Sequence, residues 1–120
     1  MFFWVAIKDL KTGNCNLTLI FQRRLIVPIK VLIKRRFKKA HSDKINHVIK
    51  EVRMGAMDQE GYLSSETLRD HQDPLRVVVA SNWRSIKNWN KWKNSDPRKS
   101  REKKFAKFLE GQTEYEIFDL

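Results

Sequence analysis

Cysteine is nearly missing from this sequence: Cys15 is the only one in 120 residues. No intrachain disulfide can form, and one thiol cannot build a zinc site alone. A reducing, cytoplasmic setting is the simplest expectation. Long apolar runs are missing too. The stretch Met1 to Ile7 is far too short for a bilayer core of about 30 Å, so no membrane span is expected. No basic residue precedes that stretch and no small-residue cleavage site follows it, so a signal peptide is not expected either. Asn16-Leu17-Thr18 fits a glycosylation sequon, which reads as chance in a chain without a secretion signal. Acidic residues are scarce beside basic ones, 14 against 25, and the net charge is +11. That excess favours anionic partners: nucleic acid, a membrane surface or an acidic small molecule.

What is present suits one folded domain. Hydrophobic residues make up 41% of the chain, the share expected of a packed core rather than a disordered segment. The length fits one domain and leaves little room for two. No repeat and no low-complexity tract interrupts it.

The first 26 residues hold no helical or strand period. Order begins at Pro28. Ile29, Val31, Ile33 and Arg35 alternate with Lys30, Leu32, Lys34 and Arg36, the pattern of a half-buried strand running to Phe37. Ser42 is placed to cap a helix in which Ile45, Val48, Ile49, Val52 and Ala56 recur at helical spacing. That helix is expected to end near Met57. Tyr62–Arg69 and Leu75–Trp83 read as two strands joined by the turn formers Asp70-His71-Gln72-Asp73-Pro74. Ser85 caps a helix carrying Ile86, Trp89 and Trp92. Ser95-Asp96-Pro97 starts another, with proline in its first turn, which runs past Phe105 and stops at Gly111. Glu114 to Leu120 closes the chain as a strand. The order β-α-β-β-α-β is a ferredoxin-like α+β arrangement with an antiparallel sheet. Helices cover one face of such a sheet. The outer face, with Leu32, is expected to pair with a second copy in a homodimer.

Three stretches carry a family resemblance: Gly61-Tyr62-Leu63-Ser64-Ser65-Glu66-Thr67-Leu68-Arg69, Asp73-Pro74 through Val77-Val78-Val79-Ala80-Ser81-Asn82-Trp83, and Trp83-Arg84-Ser85-Ile86 through Trp92-Lys93-Asn94-Ser95. With the closing Thr113-Glu114-Tyr115-Glu116-Ile117, they make residues 27–120 resemble the antibiotic biosynthesis monooxygenase (ABM) family of dimeric α+β barrels. Members commonly begin at a methionine where Val27 stands here. Residues 1–26 are therefore expected to be a poorly ordered N-terminal extension or the product of a misassigned start. The resemblance implies a monooxygenase: cofactor-independent oxidation, with O2, of an aromatic, phenolic or quinol-like small molecule. The substrate loses a proton and passes an electron to oxygen, so the protein supplies a dry pocket, orientation and stabilisation of an anion. No cofactor and no metal are expected. The alternative is a non-catalytic dimeric domain that binds a small ligand or another protein.

Trp92 matches the tryptophan lining the family's pocket, and Asn88 lies one turn earlier, where active relatives carry an asparagine. The (i, i+4) spacing puts both on one helix face. These are the expected catalytic pair, against the plainer reading of a core tryptophan and a solvated asparagine. Arg84 and Arg98 flank that helix and are the candidates for binding a phenolate or carboxylate, with a solvated surface position as the plainer expectation. Trp83 and Trp89 read as packing residues. Haem-degrading relatives carry a helix histidine and a first-strand asparagine. Here Glu102 stands in the histidine's place and the first strand has no asparagine, which argues against haem chemistry. His41, His47 and His71 share no face and no metal-ligand spacing. Two basic clusters, Lys30, Lys34, Arg35, Arg36, Lys38 and Lys39, then Arg98, Lys99, Arg101, Lys103 and Lys104, are read as solvated surface. Aromatic residues do not interleave with them, so no specific nucleic-acid binding is expected. An enclosed pocket lined by Trp92 favours the enzyme, and a pocket filled by side chains favours the non-catalytic domain.

Overall fold

In the computed structural model, which describes residues 26–120, the alternation after Pro28 becomes strand β1 (Ile29–Arg36). Ile29, Val31, Ile33 and Arg35 are buried, and the residues between them are half-buried. Then come helix α1 (Ile45–Met57), strands β2 (Tyr62–Arg69) and β3 (Arg76–Trp83), helices α2 (Ile86–Lys93) and α3 (Asp96–Phe105), and strand β4 (Glu114–Asp119). The strands pair antiparallel in the order β2-β3-β1-β4. This is the expected ferredoxin-like α+β fold. The expectation for residues 1–26 falls outside the described residues except for Ile26, an exposed turn residue.

Periodicity explains how the layers meet. In α1, Ile45, Val48 and Ile49 are buried, and Val52 and Ala56 pack against the same core, the three-to-four spacing of one helix face. On the sheet, Ile33 sits beside Val79 of β3 and Tyr115 of β4. Trp83, Trp89 and Phe37 are the largest fully buried side chains. Ser85 caps α2 as expected: its hydroxyl accepts from the Asn88 N–H at 3.3 Å. Pro97 sits in the first turn of α3, where its missing N–H costs nothing.

Two boundaries differ from expectation. Ser42 caps nothing. It lies inside a 3₁₀ stretch, Lys39–Lys44, that runs directly into α1. That stretch is tied down from outside: Lys38 N–H donates to Phe108 O at 2.9 Å, and His41 packs on Phe108 with ring centroids 5.1 Å apart. Beyond α3 the chain makes a 3₁₀ turn, Ala106–Phe108, and then extends at Leu109, which bridges Phe37. Gly111 therefore lies past the helix end, in a bend at φ 77°, a conformation that glycine adopts without strain.

The helices lie on the inner face. The outer face carries half-buried Leu32 and Val78, buried Ala80, and the exposed side chains of Leu68 and Phe118. Ion pairs border it: Lys34 with Glu116, and Arg36 with both Asp73 and Glu110.

A candidate active-site cleft under the sheet

Trp89 and Trp92 are three residues apart on α2 and so share its inward face. Both are buried. Trp89 meets Trp83 of β3 edge-on, with centroids 5.6 Å apart, and Tyr115 of β4 at 5.9 Å. Tyr62 of β2 meets Trp83 at 5.5 Å and 86°. Tyr62, Trp83, Trp89 and Trp92 wall a cleft between sheet and helices that also reaches Val52 and Ala56 of α1. Trp83 satisfies its indole N–H by donating to Ser81 Oγ at 3.0 Å. Trp89 does not: its Nε1 is buried without a partner among the described residues.

Charged groups enter from two sides. Arg35 is the last inward position of β1 before Phe37, and its side chain is 2% exposed. One of its nitrogens, Nη2, donates to Glu102 Oε1 at 2.5 Å, while Nη1 is buried with no partner among the described residues. Arg98 and Glu102, one turn apart on α3, also pair, at 3.3 Å. Arg98 further donates to Tyr115 Oη at 2.9 Å and lies 5.3 Å from the Trp89 ring, within cation–π range. Arg101 lies over Gly55 of α1: a Cβ on that glycine would sit 1.7 Å from Arg101 Nη1 and 2.9 Å from Trp92 Cη2. Glycine at 55 therefore makes the seat for this guanidinium. Arg53 also lines the cleft, so among the described residues four arginines meet one carboxylate, Glu102. The room left for the centre of a water-sized sphere is about 30 Å³, enough for about two waters. Such a site can hold and stabilise an anion beside flat aromatic walls.

The expected site residues separate. Trp92 and Arg98 both line the cleft. Arg98 is 7% exposed, a correction to its expected surface position, because α3 turns it toward Tyr115, Trp89 and Glu102. Asn88 is not among the lining residues. Its Oδ1 accepts from the Ser85 hydroxyl at 2.7 Å, and its Cγ sits 2.2 Å from where a Gly61 Cβ would lie. The short amide is held at the start of α2 instead of pointing along the helix toward Trp92. Arg84 is exposed and also outside the lining; its backbone N–H donates to Gly61 O at 2.7 Å. Arg35 is buried, not part of the solvated basic surface expected of its cluster, because it shares the inward alternation of Ile29, Val31 and Ile33. Glu102 had been singled out only as a departure from a histidine. Away from the cleft, Asp70 has its pKa lowered, chiefly by accepting from the Gln72 and Asp73 amides and then by Arg76. Among the described residues, no group of three His, Cys, Asp or Glu side chains is placed to hold a metal, and no helix is long and apolar enough to cross a membrane.

Residues 28–104 match the family model for antibiotic biosynthesis monooxygenases. No curated protein matches the chain by sequence. Solved structures match its fold at low identity. A conserved protein from Methanosarcina mazei Go1 aligns at TM-score 0.71 and 16% identity, covering 82% of this chain and 97% of its own. SnoaB, a cofactor-independent oxygenase from Streptomyces nogalater, aligns at TM-score 0.70 and 11% identity, covering 78% of this chain and 93% of its own. Rv0793 from Mycobacterium tuberculosis aligns at 0.68 and 10%, covering 78% and 94%.

Proposed function

The chain belongs to the antibiotic biosynthesis monooxygenase family, and from that premise we propose that its cleft oxidises an aromatic, phenolic or quinol-like small molecule with molecular oxygen and no cofactor. One observation carries the reading: buried Arg98 stands between Trp89 and Tyr115 in the cleft that Trp92 lines. An indole wall orients a flat ring, and a buried cation lowers the energy of the anion the ring becomes. In a substrate with an acidic ring C–H₂ group, which anthrone carries and a quinol acquires in its keto tautomer, water takes the proton and the anion rests against Arg98. It passes one electron to oxygen. The two radicals combine into a peroxide anion, which takes the proton back from water and then loses water to leave a carbonyl. The balance is C–H₂ plus O₂ giving C=O plus H₂O. The protein contributes orientation, dryness and charge. Arg53, exposed, and Arg101, half-buried, are long side chains at the cleft; their rotation outward makes room for a ring.

The small volume of about 30 Å³ favours a second reading, a non-catalytic dimeric domain whose cleft is filled by its own side chains. In both readings a second copy covers Leu32, Leu68, Val78 and Phe118 on the outer face, because apolar area left in water forgoes about 25 cal/mol per Å². Oxygen uptake separates them. Chelator-treated, flavin-free protein is given anthrone and a series of polycyclic quinols, with protein-free rates subtracted. The oxygenase reading expects protein-dependent uptake that Trp92→Ala reduces while the fold is retained. Uptake equal to the protein-free rate across the series leaves the non-catalytic reading.

A further inference from the structure

Two buried donors in the cleft have no partner among the described residues: Arg35 Nη1 and Trp89 Nε1. Buried polar groups in folded proteins are almost always paired, and an unpaired guanidinium N–H is the costlier exception. Burial of Arg35 is nearly complete, with its side chain 2% exposed. The same cleft holds Arg98 and Arg101, while Glu102 is its single carboxylate among the described residues. One Glu102 oxygen already serves both Arg35 and Arg98, at 2.5 Å and 3.3 Å. Positive charge thus exceeds negative charge in a partly open, ring-walled space whose innermost cations are Arg35 and Arg98. A neutral ligand would leave that excess uncompensated.

We infer that the cleft recognises a planar aromatic acid, whose carboxylate is taken up by Arg35 Nη1 with the neighbouring guanidinium of Arg98 while its ring lies against the tryptophans of α2. This deepens the proposed oxidation by naming its substrate class, and so rests on that reading for turnover but not for binding. The carboxylate supplies acceptors to the orphaned guanidinium, and a planar guanidinium matches a carboxylate better than a point charge does. The room of about 30 Å³ is of the order of two waters, the scale of a carboxylate group. The ring needs the further space that Arg101 vacates when it leaves Gly55. Arg35 comes from β1, an interior strand paired along both edges, which fixes the recognition point.

The test uses a matched pair of quinols, a dihydroxynaphthoate and the corresponding dihydroxynaphthalene, titrated calorimetrically into the full chain under nitrogen. The acid is expected to bind about tenfold or more tightly than the neutral quinol, the worth of one charged hydrogen bond. Arg35→Met is expected to remove that difference, and Arg35→Lys to restore only part of it. Equal affinity for the two quinols overturns the inference, as does a preference for the acid that survives in Arg35→Met. Should Arg35→Met fail to fold, wild-type melting decides: benzoate must raise the melting temperature and benzamide must not, and equal effects overturn the inference. Oxygen uptake keeps the two proposals apart. If both quinols are oxidised and bound alike, oxidation stands and acid recognition fails. If the acid alone binds through Arg35 and neither quinol is consumed, acid recognition stands and oxidation fails.

Discussion

Removing Glu102 and removing Arg35 should have unequal consequences, although the two form one ion pair. The Arg35 side chain is 2% exposed and that of Glu102 is 20% exposed, with 2.5 Å between their atoms. Glu102→Gln keeps the shape but deletes the only carboxylate among the described residues that line the cleft, leaving Arg35 and Arg98 as buried cations. Breaking a buried pair in this way costs about 3–5 kcal/mol. The partial exposure of Glu102 lets water replace some of the lost field, so the low end, about 3 kcal/mol, is expected. For a domain of this size that is a fall in melting temperature of roughly 12–24 °C. Arg35→Met removes a buried charge whose Nη1 is unpaired and leaves Glu102 its contact with Arg98. Its expected effect is within about 1 kcal/mol of neutral, of either sign. Melting followed by circular dichroism, at equal protein concentration and low salt, measures both. The reasoning is refuted if Glu102→Gln melts with the wild type, or if Arg35→Met costs as much as Glu102→Gln.

Trp92→Ala should cost about 3–5 kcal/mol as a buried ring and reduce ligand binding or turnover more than Trp89→Ala, whose ring is walled in by Trp83 and Tyr115; functional losses that merely track stability would return Trp92 to a packing role. Light scattering at micromolar concentration should give the mass of a dimer, and Leu32→Glu on the outer face should shift it toward monomer; a monomeric wild type defeats this. Because the pKa of Asp70 is lowered in the folded chain by the Gln72 and Asp73 amides, its contribution is full above the ordinary aspartate value and is lost as the pH falls through the lowered one. An NMR titration of the Asp70 carboxyl should therefore find a midpoint below that of unfolded chain, and a midpoint at or above it would contradict the hairpin geometry.

Strand and helix order was legible because it rests on periods of two and of three to four, which survive in any sequence with a one-sided core. The alternation of Ile29, Val31 and Ile33, the spacing of Ile45, Val48 and Ile49, and the Ser85 cap all reappear in the structure. Ser42 failed as a cap because the chain before α1 is held by Phe108, a contact from far along the sequence that no local pattern encodes. The cleft was half legible. Trp92 came through resemblance. Arg98 looked like surface because α3, with Lys99, Lys103 and Lys104 around it, has scarcely any apolar stripe, and its inward side is made of charge pairing instead. Arg35 was hidden for a related reason: a run of basic residues reads as solvated, whereas strand alternation sends every second one inside.

The most direct test of the central claim is the fate of labelled oxygen. Chelator-treated, flavin-free protein is supplied with isotopically labelled oxygen gas and whichever of anthrone and dihydroxynaphthoate it consumes faster, and the product is weighed by mass spectrometry. The account predicts one labelled oxygen atom in the organic product for each oxygen molecule used, the other leaving in water, at a rate that Trp92→Ala lowers. No protein-dependent consumption of either compound, or consumption that leaves the product unlabelled and puts all the label into peroxide, would contradict it.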